Sequence, residues 1–239
     1  MYFNDPLYLL VMIAGMILVF VPQMWVKNTV AQFLEVRTGR GRSGREVAQS
    51  ILAENGLVNV AVQMVDGELS DHYDPAERAV RLSPAIYQGT SVASVAIAAH
   101  ECGHAIQHAK GYYPVVLRSA MVPAVNFGSS LGPMLIMGAM MLGGFSHAAP
   151  SLAITIAWAG VILYGLAVAF HFVTLPVELD ASGRALKVLE TQSYLNREEL
   201  SGAKKVLTAA AFTYIATAMY ALMQLLYYVF RLMGSRRDD

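Results

Sequence analysis

Cysteine is nearly missing: Cys102 is the single one among 239 residues, which excludes an internal disulfide. Charge is scarce as well. Asp, Glu, Lys and Arg make up 14% of the chain, against about 25% in soluble domains. The 17 basic and 17 acidic residues cancel, so the balance gives no sign of nucleic-acid binding. No internal repeat or low-complexity segment is visible. No basic residue precedes the first apolar run, as a cleavable signal peptide would require, so that run is expected to stay as a membrane span. Apolar residues fill the space: 56% of the chain is hydrophobic and the mean hydropathy is +0.46. This is a membrane protein's composition with one modest soluble part.

The apolar runs set the organisation. Pro6 to Val26 has the length of a ~30 Å hydrocarbon core, with Trp25 at its end, where an interfacial aromatic belongs. Lys27, Arg37, Arg40, Arg42 and Arg45 follow against Glu35, an excess that marks the cytoplasmic side. Met121 to Leu142 and Ser151 to Leu175 read as a membrane hairpin around a charge-free loop, Gly143 to Pro150. Val206 to Phe230 reads as a fourth span or as a helix against the catalytic part; a fourth crossing would put Arg231, Arg236 and Arg237 outside. The expected divisions are an N-terminal span (1–26), a cytoplasmic part with a small sheet and a metal helix (27–118), the hairpin (119–175), a third-ligand helix and charged segment (176–205), and the C-terminal helix and tail (206–239).

Within 27–118, Ser43 and Glu46 have capping-box spacing and open a helix that Asn55-Gly56 closes. Val58, Val60 and Val62 alternate with polar or small residues as in a strand, and Leu69 to Tyr73 and Ala79 to Leu82 read as two more. Such a sheet often supplies zinc hydrolases with an edge for an extended peptide.

The chemistry centres on His100-Glu101-Cys102-Gly103-His104, inside the run Ser91 to His108. Residues four apart share a helix face, so His100 and His104 can aim two imidazoles at one ion. Glu101, turned by about 100°, can reach a water on that ion. This is the H-E-x-x-H arrangement of zinc hydrolases. The run before it is small and apolar, and a buried helix does not hold two imidazoles and a carboxylate without a use for them. Two hydrogen-bonded core histidines are the bland alternative. Cys102 points away from the histidine face and reads as a packing residue.

Other patterns invite chemistry and do not hold it. Gly39 to Gly44 matches G-x-G-x-x-G, but no strand leads into it, so it reads as a flexible basic loop rather than a dinucleotide site. His108 lies about 12 Å along the helix from His100 and reads as a helix-end residue. Asp71, His72, Tyr73 and Asp74 read as turn chemistry rather than a second metal site.

A catalytic zinc site needs a third protein ligand and one open position. The hairpin returns the chain at Pro176-Val177-Glu178-Leu179-Asp180-Ala181-Ser182-Gly183-Arg184, with Pro176 suited to a helix start or kink at the membrane surface. Glu178 is the candidate ligand. Asp180, about 200° round the helix, is better placed to pair with Arg184. Surface ion pairs for both acids are the alternative.

Several separated motifs resemble one family: Ala99 to Gln107, Asp71-His72-Tyr73-Asp74-Pro75, Arg81-Leu82-Ser83, Pro176 to Ser182, and Ala209 to Tyr214. They are similar to the YugP-type membrane neutral zinc metallopeptidases of bacteria, over nearly the whole chain. The resemblance implies a mainly α membrane protein with a small β-sheet, a zincin-like α+β catalytic core and about four transmembrane helices. It implies one Zn2+ per chain in a gluzincin-like site, and a multi-pass location in the bacterial cell membrane. In the distantly similar HtpX-type membrane proteases, the third ligand is the Glu of an E-x-x-A-D motif, a role that maps onto Glu178. Ala181 matches that motif, but Ser182 stands where those proteases have Asp, so the role of that Asp is expected to pass to Asp180 or Arg184.

The expected activity is peptide hydrolysis by zinc-activated water, with Glu101 as general base and His100, His104 and Glu178 on the metal. Asp180, Arg184, Tyr214, His108 and His171 are candidate supporting or oxyanion-stabilising groups. The expected partners are a protein or peptide substrate, including membrane proteins, and the lipid bilayer. Two other classes compete: a membrane scaffold with structural zinc, which should show four protein ligands, and a transporter, which should carry ionisable groups deep within its spans.

Overall fold

A computed structural model describes residues 5–145 and 150–234. The elements in chain order are α1 (Pro6–Leu34), α2 (Gly44–Glu54), β1 (Ala61–Met64), β2 (His72–Asp74), β3 (Ala79–Leu82), α3 (Pro84–Gln88), α4 (Val92–Ala109), α5 (Tyr113–Phe145), α6 (Pro150–Thr191) and α7 (Arg197–Gly234). The chain is mainly helical with one small sheet. Four helices, α1, α5, α6 and α7, are long and apolar enough to cross a membrane.

The chain divides into two compact units. One holds the residues up to Val21, Leu117–Thr174 and the chain from Tyr214 onward; the other holds Pro22–Val116 and Leu175–Thr213. In the first, Gly132 and Gly160 allow α5 and α6 backbones to approach. A Cβ at Gly132 would lie 2.9 Å from the Gly160 oxygen, and one at Gly160 would lie 2.7 Å from the Gly132 oxygen. Small residues at such crossings replace the missing hydrophobic drive between helices in lipid. Asp5 accepts from the Tyr227 hydroxyl at 3.0 Å and lies 3.6 Å from Arg231 in the same unit.

The second unit is built on α4. Ser91 caps it, accepting from the Ser94 amide at 3.1 Å. The α4 face of Val95, Ala98, Ala99, Cys102 and Ala105 packs into one core with Val47, Ile51 and Leu52 of α2, Val80 and Leu82 of β3, and Leu189 of α6. These side chains are essentially removed from water, which supplies the main drive for folding. The expected capping box is present: the Glu46 amide donates to Ser43 Oγ, and Glu46 Oε2 accepts from the Ser43 amide at 2.8 Å. That helix ends at Asn55, and Gly56 follows at φ +73°.

The sheet order is β1-β3-β2, with β1 parallel and β2 antiparallel to β3. Ala79 to Leu82 forms a strand as its sequence predicts, but the other two are displaced. Val58 is 83% exposed, and residues 57–60 turn instead, the Val60 amide donating to the Leu57 oxygen. Leu69 sits at φ +53°, a conformation that cannot continue a strand, so β2 begins only at His72. Alternation in the sequence reported small local burial there, not ladder pairing.

The membrane-returning stretch also differs from expectation. Pro176 neither starts nor breaks a helix; α6 runs through it from Pro150 to Thr191. The predicted third-ligand segment is thus the far end of the hairpin's second helix. The expected loop over 143–150 is shorter, since α5 continues to Phe145 and α6 starts at Pro150; residues 146–149 lie outside the described residues. Arg236 and Arg237 also fall outside them.

Candidate metal centre

Two helices deliver the site. His100 and His104 project from one face of α4, and Glu178 comes from α6. Glycine makes that approach close enough: a Cβ at Gly103 would stand 2.7 Å from the Ala181 carbonyl oxygen. Only a residue without a side chain lets the α4 backbone lie against α6 at this level. The Cys102 side chain lies on the other side, in the core with α2, its Sγ 3.6 Å from the Ala48 oxygen. Burial pushes that thiol far above its ordinary range, as expected of a packing cysteine rather than a reactive one.

One ligand atom from each of His100, His104 and Glu178 lies within 4.8 Å of the others. Glu178 Oε2 is 3.4 Å from His100 Nε2 and 3.5 Å from His104 Nε2. These separations are long for hydrogen bonds. Donors held tetrahedrally at the usual zinc–nitrogen and zinc–oxygen lengths stand about 3.3–3.4 Å apart, so the spacing fits a shared zinc ion. The two imidazoles stand nearly perpendicular, at 84°. Glu178 is buried, only 3% exposed, and a buried carboxylate needs such company.

The outer ring nitrogens are both engaged. His100 Nδ1 lies 3.1 Å from Ser182 Oγ, and His104 Nδ1 lies 3.1 Å from Gln107 Oε1. A proton on each Nδ1, donated to these oxygens, leaves each Nε2 lone pair facing Glu178, which is the tautomer metal binding requires. Ser182, which stands where the E-x-x-A-D pattern has its Asp, is thus the α6 residue whose side chain meets His100 Nδ1.

Gln107 is a residue that the sequence reading missed. It is wholly buried. Its amide Nε2 donates to the Val177 oxygen at 2.8 Å and to Asp180 Oδ2 at 2.7 Å, so one side chain ties His104 to two points on α6. The signal was present in the sequence: a buried amide three residues after the second histidine, in an otherwise apolar helix. Asp180 in turn accepts from Arg184 Nε at 2.5 Å, the pairing expected from their spacing. The Arg184 guanidinium also lies 5.7 Å from the centre of the Tyr112 ring.

Glu101 is buried beside the cluster, 7% exposed. Burial raises its proton affinity above the ordinary carboxylate value; the His100 and His104 charges oppose this and the Glu178 and Asp71 charges add to it. For His104, burial works against protonation. The facing Glu178 and Glu101 carboxylates outweigh it and hold that imidazole above its usual range.

The remaining candidates make other contacts. His108 pairs through Nδ1 with the Tyr73 hydroxyl at 3.1 Å, linking the end of α4 to β2. Asp74 closes a turn by accepting from the Ala76 and Glu77 amides and pairs with Arg81 at 2.5 Å. Asp71 accepts from the Ser83 amide at 2.7 Å. His72 Nδ1 lies 2.7 Å from the Ser70 oxygen. None of these four joins the His100/His104/Glu178 group. The Gly39 to Gly44 stretch follows a helix, and its Gly39 amide donates to Glu199 Oε1 at 2.7 Å. Tyr214 and His171 belong to the other unit.

A mainly helical chain with four candidate membrane helices and a His/His/Glu cluster beside a buried glutamate defines a class: membrane-type proteins with a possible metal site. Within it, the chain belongs to the family described as "Putative neutral zinc metallopeptidase", which matches residues 8–233. It is 40% identical over 233 residues to a Bacillus subtilis (strain 168) protein named "Putative membrane protease YugP", covering 98% of this chain and all of that one. No solved structure matches it.

Proposed function

We propose that this protein is a membrane-anchored zinc endopeptidase of the gluzincin type, with His100, His104 and Glu178 holding one zinc ion per chain. The observation that carries the reading is that Glu178 Oε2 stands 3.4 Å and 3.5 Å from the two Nε2 atoms, all three ligand atoms lying within 4.8 Å of one another, next to a buried carboxylate that is not one of the three. Zinc supplies a Lewis acid that polarises a peptide carbonyl and makes a neighbouring water acidic near neutral pH.

The protein's own groups do the rest. Glu101 takes a proton from the attacking water on a carboxylate oxygen and returns it to the departing amine nitrogen. Its raised proton affinity suits both halves of that transfer. Ser182 and Gln107 hold the imidazoles in the required tautomer and orientation. Asp180 and Arg184, locked together, brace the α6 turn that presents Glu178. An extended peptide adding to an outer strand of the sheet would be positioned by main-chain hydrogen bonds. The basic stretch Lys27 to Arg45 supports a site on the cytoplasmic face, with membrane-near proteins as substrates.

Glu101→Gln tests the assignment. Zinc content should match the unsubstituted protein, while cleavage of an unfolded protein substrate falls by at least about 100-fold. Unchanged cleavage would remove Glu101 as the base. Zinc retained with no cleavage by either protein would favour a structural zinc scaffold.

A further inference from the structure

A cleft of about 480 Å³ lies between α1 and the first half of α7, away from the metal centre. Its α1 wall is Trp25, Thr29, Gln32 and Phe33; its α7 wall is Ser201, Lys204, Lys205 and Thr208. Both sets follow helical spacing, i, i+4, i+7, i+8 and i, i+3, i+4, i+7, so each wall is one continuous face. Two contacts fix how the walls face each other. Trp25 meets Phe212 edge-on at 5.4 Å between ring centres, and Gly202 lies so near Phe33 that a Cβ there would stand 2.6 Å from its ring. Beneath the walls, Val30, Ala93 and Val206 close the packing of α1, α4 and α7.

The cleft therefore has a chemical gradient. One end carries Trp25 and Phe212, 44% and 42% exposed, and leads onto Met24, which is also exposed. The other carries Gln32, Ser201 and the two lysines, all exposed. Its lining includes two cations and no carboxylate among the described residues. Both walls belong to helices apolar enough to cross a membrane, and a Trp at the end of such a run sits at headgroup depth. Lysines at that depth keep their ammonium groups toward water while their stems cover apolar surface.

We propose that this cleft binds an anionic phospholipid of the surrounding leaflet. The lipid phosphate lies on Lys204 and Lys205, with Thr208 and Ser201 as hydroxyl donors. The acyl chain runs down past Trp25 and Phe212. A free phosphate has no use for the apolar end, and a neutral lipid has none for the lysines.

The test uses the full-length protein with Trp158→Phe, which leaves Trp25 as the single tryptophan, in nanodiscs of neutral phosphatidylcholine. Brominated phosphatidylglycerol should quench Trp25 at about tenfold lower mole fraction than brominated phosphatidylcholine, since each lysine near a lipid surface is worth a few-fold in affinity. Lys204→Gln/Lys205→Gln should erase the preference, and Lys204→Arg/Lys205→Arg should keep it. Lipid retention by the protein with both tryptophans, read by mass spectrometry from detergent, should show the same order. Equal quenching by the two lipids, or a preference that survives the glutamine pair, would overturn the proposal. Abolition of the preference by millimolar inorganic phosphate would reassign the site to a free anion and overturn the lipid.

Discussion

Ser182 Oγ on α6 stands 3.1 Å from His100 Nδ1 on α4, a hydroxyl set against the ring nitrogen that faces away from Glu178. Removing such a partner usually costs 10–100-fold in metal affinity or activity. Ser182→Ala should therefore weaken zinc binding by about 10-fold, measured by competition with a chelator, with little change in secondary structure by circular dichroism.

Gln107 makes three contacts from a position without solvent access. Gln107→Ala takes a donor from the Val177 carbonyl and leaves His104 Nδ1 without its partner, at about 1–3 kcal/mol. Chemical denaturation should show that loss, and zinc affinity should fall with it because His104 loses its acceptor. A variant as stable and as zinc-tight as the original would show that Gln107 only fills space.

Gly103→Ala places a methyl group 2.7 Å from the Ala181 oxygen. Backbone cannot yield as a flexible side chain does, so α4 must move off α6. Overpacking of this kind costs about 1–3 kcal/mol. Because the same approach brings Glu178 to the histidines, zinc binding should suffer more than stability. Parallel measurements of denaturation and zinc affinity separate the two.

Proton linkage gives a further expectation for the zinc-free protein. Folding raises the proton affinities of both His104 and Glu101. A folded state that binds more protons than the unfolded one loses stability as pH rises. The contribution is complete below the unfolded values, about 4.3 for Glu and 6.5 for His, and disappears as pH climbs through the raised folded ones. With zinc present the sign reverses around neutrality, because the metal must displace the His104 proton and binds better as pH rises. Melting temperatures with chelator and with zinc should thus diverge between about pH 6 and 8.

Glu178→Gln keeps the shape of the third donor but removes its charge. Zinc content should drop sharply after dialysis, while Asp180→Asn, next to the site and paired with Arg184, should retain most of it. Equal losses would mean that the two acids share the metal role.

Much of the site was legible because its pieces are local. The i, i+4 spacing of His100 and His104 needs only a helix, and the small apolar run from Ser91 guarantees one. Asp180 and Arg184 pair for the same reason. Ser43 and Glu46 cap α2 through neighbours three residues apart. The strands were less legible, since Val58 alternates correctly but turns away, and Leu69 takes a left-handed conformation that nothing in its own chemistry announces. Ladder pairing depends on a partner strand, and only β3, the central one, has its pairing secured on both sides.

The sequence by itself determined four membrane-length apolar helices and the shared α4 face of His100 and His104, because helix period and hydropathy are properties of short stretches. Tertiary structure alone decided that α6 runs unbroken through Pro176, that Ser182 and Gln107 meet the two imidazoles, and that Gly103 lies against the Ala181 carbonyl. Those facts rest on which backbone lies against which, across some seventy to eighty residues of chain, and no local period encodes that distance.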